Sequence, residues 1–167
     1  GLSMVIPSWV QDGGTQEYIE RLKNRETRHR IIEEMKKDPF ADGSLTVISA
    51  VFNDKNKKYE GRFVDEIAKE ESKTSYDFII DLLIEEEGAV SAIYHSMCED
   101  DVRRVLKDPF TSICTDASAN ATDGILHSGK PHPRTYGSFP RVISKFVNDE
   151  KILSIQEAIR RMTSLPA

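Results

Sequence analysis

Three observations along this chain of 167 residues predict an α/β fold. Apolar β-like runs alternate with segments of helical apolar spacing, the pattern of strands joined by helices and paired in parallel. Asp38-Pro39 and Asp108-Pro109 punctuate that alternation, because the residue before a proline is driven out of the α region. The third observation is the last apolar run, Phe110-Thr-Ser-Ile-Cys-Thr-Asp116, which closes on a carboxylate. A polar loop ending in Lys130-Pro-His132-Pro-Arg134-Thr-Tyr136-Gly137 follows it. A carboxylate at the C-terminal end of a buried strand, just before a long loop, is where α/β barrel enzymes hold catalytic and metal-binding groups.

The elements follow in order. Residues 1–14 form a lead-in broken by Pro7, Gly13 and Gly14. Over 15–37 the spacing of Tyr18, Ile19, Leu22, Ile31, Ile32 and Met35 predicts one long helix or two shorter ones. The Val- and Ile-rich run 45–52 predicts a strand, and Asn53 to Asn56 a turn. A short helix is expected over 63–70, with Val64, Ile67 and Ala68 facing inward. A stronger one is expected over 75–87, carrying Phe78, Ile79, Leu82 and Leu83 and ended by Gly88. Residues 89–94 predict a buried strand.

Ser96-Met-Cys-Glu99 has capping-box spacing and opens a helix to about 107. The strand ending at Asp116 comes next, then an aperiodic loop over 117–135, a length that in compact domains is usually functional or disordered. Ser138-Phe-Pro140 opens a helix bearing Val142, Ile143, Phe146 and Val147, with Pro140 in its first turn. Ser154-x-x-Glu157 opens the last helix, through Met162. There is no internal repeat.

An apolar fraction of 38% and a charged fraction of 31% fit a soluble globular protein, in one domain or as a piece of a larger one. No apolar run approaches the roughly 20 residues that span a bilayer, and no signal-peptide pattern appears. The net charge of −5, with acids and bases interleaved as at Glu33, Glu34, Lys36 and Lys37, argues against a nucleic-acid partner. Cys98 and Cys114 lack CxxC spacing, so reduced thiols in a cytoplasmic protein are expected. The opening Gly1-Leu-Ser-Met reads as a tag remnant, a processed product or an excised fragment.

Asp116 reads either as a turn cap or as a catalytic group, the latter because His127, His132, Arg134 and Tyr136 gather in the loop after it. Arg134 can pair with a carboxylate of substrate or of protein. Tyr94 and Met97, flanking a strand-to-helix junction, read as core or as an apolar pocket wall. Cys114, inside an apolar strand with no base nearby, is not read as a nucleophile. With neither His-x-His nor His-Glu-x-x-His, zinc-ligand spacing is absent.

The stretch from His132-Pro-Arg-Thr-Tyr-Gly-Ser-Phe-Pro-Arg141 through Glu157 to Ala167 resembles the N-acyl-D-amino-acid deacylases of the amidohydrolase superfamily. Ala92-Ile-Tyr-His-Ser-Met97, Glu99-Asp-Asp-Val-Arg-Arg104 and Ile113-Cys-Thr-Asp116 extend the likeness upstream, and Trp9 with Gly13-Gly14 carries it to the start. The resemblance implies a zinc-dependent (β/α)8 barrel that hydrolyses N-acyl-D-amino acids. This chain would supply its last strand and helices (98–167, with active-site loop 117–135) and an α+β subdomain inserted between strands seven and eight (1–97).

It further implies that Asp116 is metal ligand and general base, then proton donor to the leaving amine, and that zinc lowers the pKa of the attacking water. Tyr94 and Met97 would line the pocket for the D-amino-acid side chain, and Arg134 would contact substrate. Ala117 stands where the family commonly has glycine. The family's His-x-His pair, bridging cysteine and two later histidines are not among these residues. One aspartate does not meet the need of catalytic zinc for about three protein ligands, so the chain alone is expected to hold no zinc and to be inactive. The alternative is a non-catalytic lid or interaction module that folds or oligomerises without activity. Uncovered strand edges would make a lone chain a homo-oligomer or a domain swap.

Overall fold

Tyr18, Leu22, Ile31 and Met35 are buried from two consecutive helices, α1 (Thr15–Lys23) and α2 (Arg25–Met35). Asn24 separates them. Its side chain accepts the N–H groups of Glu26 (3.0 Å) and Thr27 (3.1 Å), an N-cap that restarts the helix. The computed structural model describes residues Gly1–Ala167. They divide into two units, 1–95 with 128–131, and 96–127 with 132–167.

In the first unit, β1 (Thr46–Ala50) pairs with β2 (Ser91–Tyr94) in the register Thr46 to Tyr94 and Ile48 to Ala92. The pairing is antiparallel, which corrects the parallel arrangement expected from the sequence. A parallel unit returns through a single crossover helix. Here two helices, α3 (Val64–Glu70) and α4 (Ser75–Glu85), lie between the strands and bring the chain back running the other way. β1 also ends sooner than predicted. The N–H groups of Val51 and Phe52 go to the carboxylates of Glu60 (3.1 Å) and Glu86 (2.7 Å) instead of a neighbouring strand.

Gly88, at φ +83°, closes α4 by donating to the Leu83 carbonyl at 2.7 Å. Leu2, Val10, Ile48, Ile67, Ile79 and Leu83 fill the core, and Arg28 ties α2 to α4 through Asp77 (2.8 Å) and Asp81 (2.7 Å). Part of the expected long loop belongs to this unit. Lys130 donates its N–H to Ser49 O at 2.7 Å, and the Ser49 hydroxyl donates back to Lys130 O at 2.8 Å. Gly129 permits that approach, since a Cβ there would lie 2.5 Å from Ser49 O.

The second unit starts with α5 (Glu99–Lys107), capped at Cys98 and so two residues later than the capping-box spacing predicts. Glu99 cannot fold back on Ser96 because its carboxylate is held by Arg141 (2.5 Å) and Lys145 (2.6 Å). The strand expected over 110–116 does not form. No second strand lies against it, and its backbone makes a single bond across the unit, Ile113 N–H to Arg161 O at 3.0 Å. Cys114 is accordingly exposed, not enclosed in a strand.

α6 (Arg134–Arg141) begins four residues before the expected Ser138, because Pro133 presets a helical φ of −52° and takes the N-cap. Pro140 sits inside it, and the chain continues as a π-helix, Val142–Asp149. α7 (Ile155–Met162) is capped as the sequence predicts, Ser154 Oγ accepting the Glu157 N–H at 3.1 Å. Leu106, Val142, Phe146, Leu153 and Ala158 form the core of this unit. No helix of the chain is long and apolar enough to cross a membrane.

Candidate active site

The carboxylate of Asp116 stands on a left-handed turn, φ +47°, with its side chain 81% exposed. Aspartate is among the few residues that tolerate this backbone region. The turn ends the extended segment and aims the carboxylate away from it. Arg134, the first residue of α6, places Nη1 3.0 Å from Asp116 Oδ2. An ion pair this exposed contributes roughly 0–1 kcal/mol, so either partner can be exchanged for a ligand at little cost.

The surroundings of Arg134 fix its backbone. Its N–H donates to His132 Nδ1 at 3.0 Å. The Tyr136 hydroxyl donates to Ala121 O at 2.9 Å, and His127 Nδ1 lies 3.4 Å from the same oxygen. Thus the structure brings Asp116 and Arg134 together, and Tyr136 and His127 anchor the loop that joins them. A turn at Asp116 was one of the two sequence readings, but its left-handed backbone was not foreseen. An aspartate closing an apolar run before Ala-Ser-Ala-Asn was the only signal for it.

Tyr94 belongs to the first unit. Its ring meets Phe40 edge-on at 5.3 Å, and its hydroxyl donates to Gly1 O at 3.0 Å. Burial, aided by the charge of Asp38, pushes its pKa up to about 12. The phenol therefore stays neutral in ordinary buffers and serves as a donor and an apolar wall. Met97, in the second unit, is 81% exposed. It borders a groove of about 380 Å³ whose walls include Val105, Leu106, Ile113 and Phe146.

No group of three or more His, Cys, Asp or Glu side chains is placed to hold a metal ion. His95 packs its ring on Phe63 at 5.4 Å. Asp116 is one oxygen donor, and catalytic zinc takes about three protein ligands. The residues of this chain do not fit a complete zinc site.

No family model matches the chain. Over 107 residues it is 36% identical to the D-aminoacylase of Alcaligenes xylosoxydans xylosoxydans, a match covering 64% of this chain and 20% of that protein. A solved D-aminoacylase, described as defining a novel subset of amidohydrolases, superposes on 96% of this chain with 26% identity and a TM-score of 0.57. The chain is a homologue of the D-aminoacylases.

The D-aminoacylase relationship covers only part of the relatives. The chain spans a fifth of the curated D-aminoacylase (20%) and a third of the solved one (33%). The N-acyl-D-glutamate deacylase of Bordetella bronchiseptica, solved with zinc and a phosphonate inhibitor mimicking the tetrahedral intermediate, shares the fold. Its TM-score is 0.62 at 23% identity, over 86% of this chain and 31% of that one. The mixed helix-and-sheet architecture is consistent with part of such a hydrolase domain.

Proposed function

We propose that this chain is the part of a metal-dependent N-acyl-D-amino-acid deacylase that carries the catalytic aspartate. The observation that carries the reading is the Asp116–Arg134 pair, an exposed carboxylate on a left-handed turn 3.0 Å from a guanidinium, within a homologue of the D-aminoacylases. In this reading residues 1–97 form the subdomain inserted between strands seven and eight of a (β/α)8 barrel. Residues 98–167 carry the region of the eighth strand, its helices and the active-site loop 117–135.

Asp116 then accepts a proton as water adds to the scissile carbonyl and returns it to the amine nitrogen as the C–N bond breaks. The products are a carboxylate and a D-amino acid. Arg134 leaves Asp116 for the substrate carboxylate, an exchange of two similar charge-assisted contacts. Tyr94 and Met97 line the side-chain pocket. Zinc would be held jointly by Asp116 and ligands outside these 167 residues, so the isolated chain is inactive. It self-associates in their absence.

A second reading, a non-catalytic lid or interaction module, is favoured by the apolar exposure of the second unit, where Met97, Val105, Phe110 and Ile159 face solvent. Continuation of the native reading frame upstream into a His-x-His segment separates the two in favour of the enzyme. The first experiment is zinc content of the purified chain, with hydrolysis of an N-acetyl-D-amino acid assayed on the same sample. We expect neither stoichiometric zinc nor turnover. Both together would overturn the reading of an incomplete site.

A further inference from the structure

The end of loop 117–135 is gripped at the one point where β1 is irregular. Ile48 pairs with Ala92 and Ala50 with Ser91, so Ser49 is an extra residue, a bulge out of the ladder with β2. Bulges are common beside active sites, where they redirect a group that the ladder would otherwise use. Here the Ser49 carbonyl accepts the Lys130 N–H at 2.7 Å, and the buried Ser49 hydroxyl donates to Lys130 O at 2.8 Å. Both backbone polar groups of Lys130 are thus held by a single residue 81 positions away in sequence. Gly129 lets the two backbones close. Its φ is +55°, and a Cβ there would lie 2.5 Å from Ser49 O and 2.6 Å from Ala50 Cβ. A side chain at 129 would therefore lift the loop off β1.

The chain beyond Lys130 is stiff. Only Pro131, His132 and Pro133 separate Lys130 from Arg134. Each proline fixes its own φ and disfavours the α region for the residue before it. His132 Nδ1 then accepts the Arg134 N–H at 3.0 Å, which closes the last step onto α6. A displacement of Lys130 is passed on to Arg134 because so few backbone torsions between them are free to absorb it. We propose that Ser49 is a positioning residue for the deacylase site: through Lys130 it sets the stretch of loop from which Arg134 emerges. β1 also pairs with Tyr94, opposite Thr46, so the sheet that supplies a wall of the side-chain pocket holds the loop as well. The role given to the loop rests on the deacylase reading, whereas its attachment to β1 does not.

The test is amide exchange and nitrogen-15 NMR of the full chain, comparing wild type with Gly129→Ala and Ser49→Ala. In wild type the Lys130 amide is expected to exchange at least about tenfold more slowly than an unbonded amide. Gly129→Ala should remove that protection and shift the Arg134 and Tyr136 signals, while Ile79 and Leu83 in the core of the first unit stay protected. Ser49→Ala keeps the carbonyl and loses the hydroxyl, so it should weaken the protection and move the same signals by less. An unprotected Lys130 in wild type overturns the clasp. Loss of protection with Arg134 and Tyr136 unmoved makes the clasp a local fold contact and overturns the positioning role. If Gly129→Ala does not fold, the same two signals in Ser49→Ala decide. None of these signals depends on zinc or turnover, so the deacylase reading fails by its own assay and the clasp by this one.

Discussion

At Asp116 backbone and side chain act together. The left-handed φ of +47° turns the chain out of its extended run and leaves the carboxylate exposed and open to an incoming cation or guanidinium. Tyr94 is the opposite case, a polar group whose chemistry is suppressed by its setting. Burial first, and Asp38 second, push its pKa from the usual 10.0 up to about 12. A phenol is charged only after losing its proton, so a raised folded pKa means that the unfolded chain ionises first. The contribution of Tyr94 is therefore complete below about pH 10 and is lost as pH rises toward 12. Ultraviolet titration of phenolate should show a late-ionising tyrosine in wild type that Tyr94→Phe removes. A Tyr94 that ionises at its ordinary value would refute the burial argument.

Elements of the second unit are joined by one side chain more than any other. Arg161, 4% exposed on α7, donates Nη1 to the carbonyls of Leu106 (2.9 Å) and Asp108 (2.6 Å), satisfying the C-terminal end of α5. Its Nε donates to Glu157 at 2.7 Å. Arg161→Ala removes the side-chain donor from the Leu106 carbonyl, leaves Asp108 O only the Thr111 N–H at 3.3 Å, and opens a void in place of the stem. It should cost about 3 kcal/mol, seen as a lowered urea midpoint, whereas Arg160→Ala on the exposed side of α7 should leave the midpoint nearly unchanged. The two Ser-x-x-Glu sequences make the complementary point. Ser154 caps α7 because Glu157 remains in that helix's own first turn, whereas Ser96 caps nothing because Glu99 is drawn to Arg141 and Lys145.

Across the whole molecule, charge is arranged to favour neutral pH. The second unit is laced by carboxylates held below their usual range by cationic partners. Lys145 acts first on Glu99, Arg103 on Glu150, and Arg160 on Glu157, whose pKa falls to about 2. A depressed folded pKa gives stability that is present above the ordinary 4.5 and disappears as pH falls toward 2. The second unit should therefore lose a modest part of its stability over that interval, discounted because these pairs are exposed to solvent, as followed through its amide signals. Glu157→Gln should flatten the pH dependence, and an unchanged acid profile would show that the pair contributes nothing. The first unit, with its larger apolar core and its 128–131 segment bonded to β1, gives the chain its main block of buried surface.

The sequence by itself determined the local decisions, those that depend on neighbours within a turn or two. Apolar spacing located the α-helices to within about four residues but not the short 3-10 turns, Gly88 and Ser154 marked helix ends, and the 92–167 motifs pointed to the deacylase relationship that the homologues then showed. What only the tertiary structure decided depends on partners distant in sequence. The direction of β1 against β2 was set by two intervening helices, and the failure of 110–116 to become a strand by the lack of a second strand beside it. The pairing of Asp116 with Arg134 required the loop between them to close. Helical hydrogen bonds join residues four apart and leave a period in the sequence. Ladder bonds and ion pairs join residues dozens apart and leave none, so only the folded chain shows them.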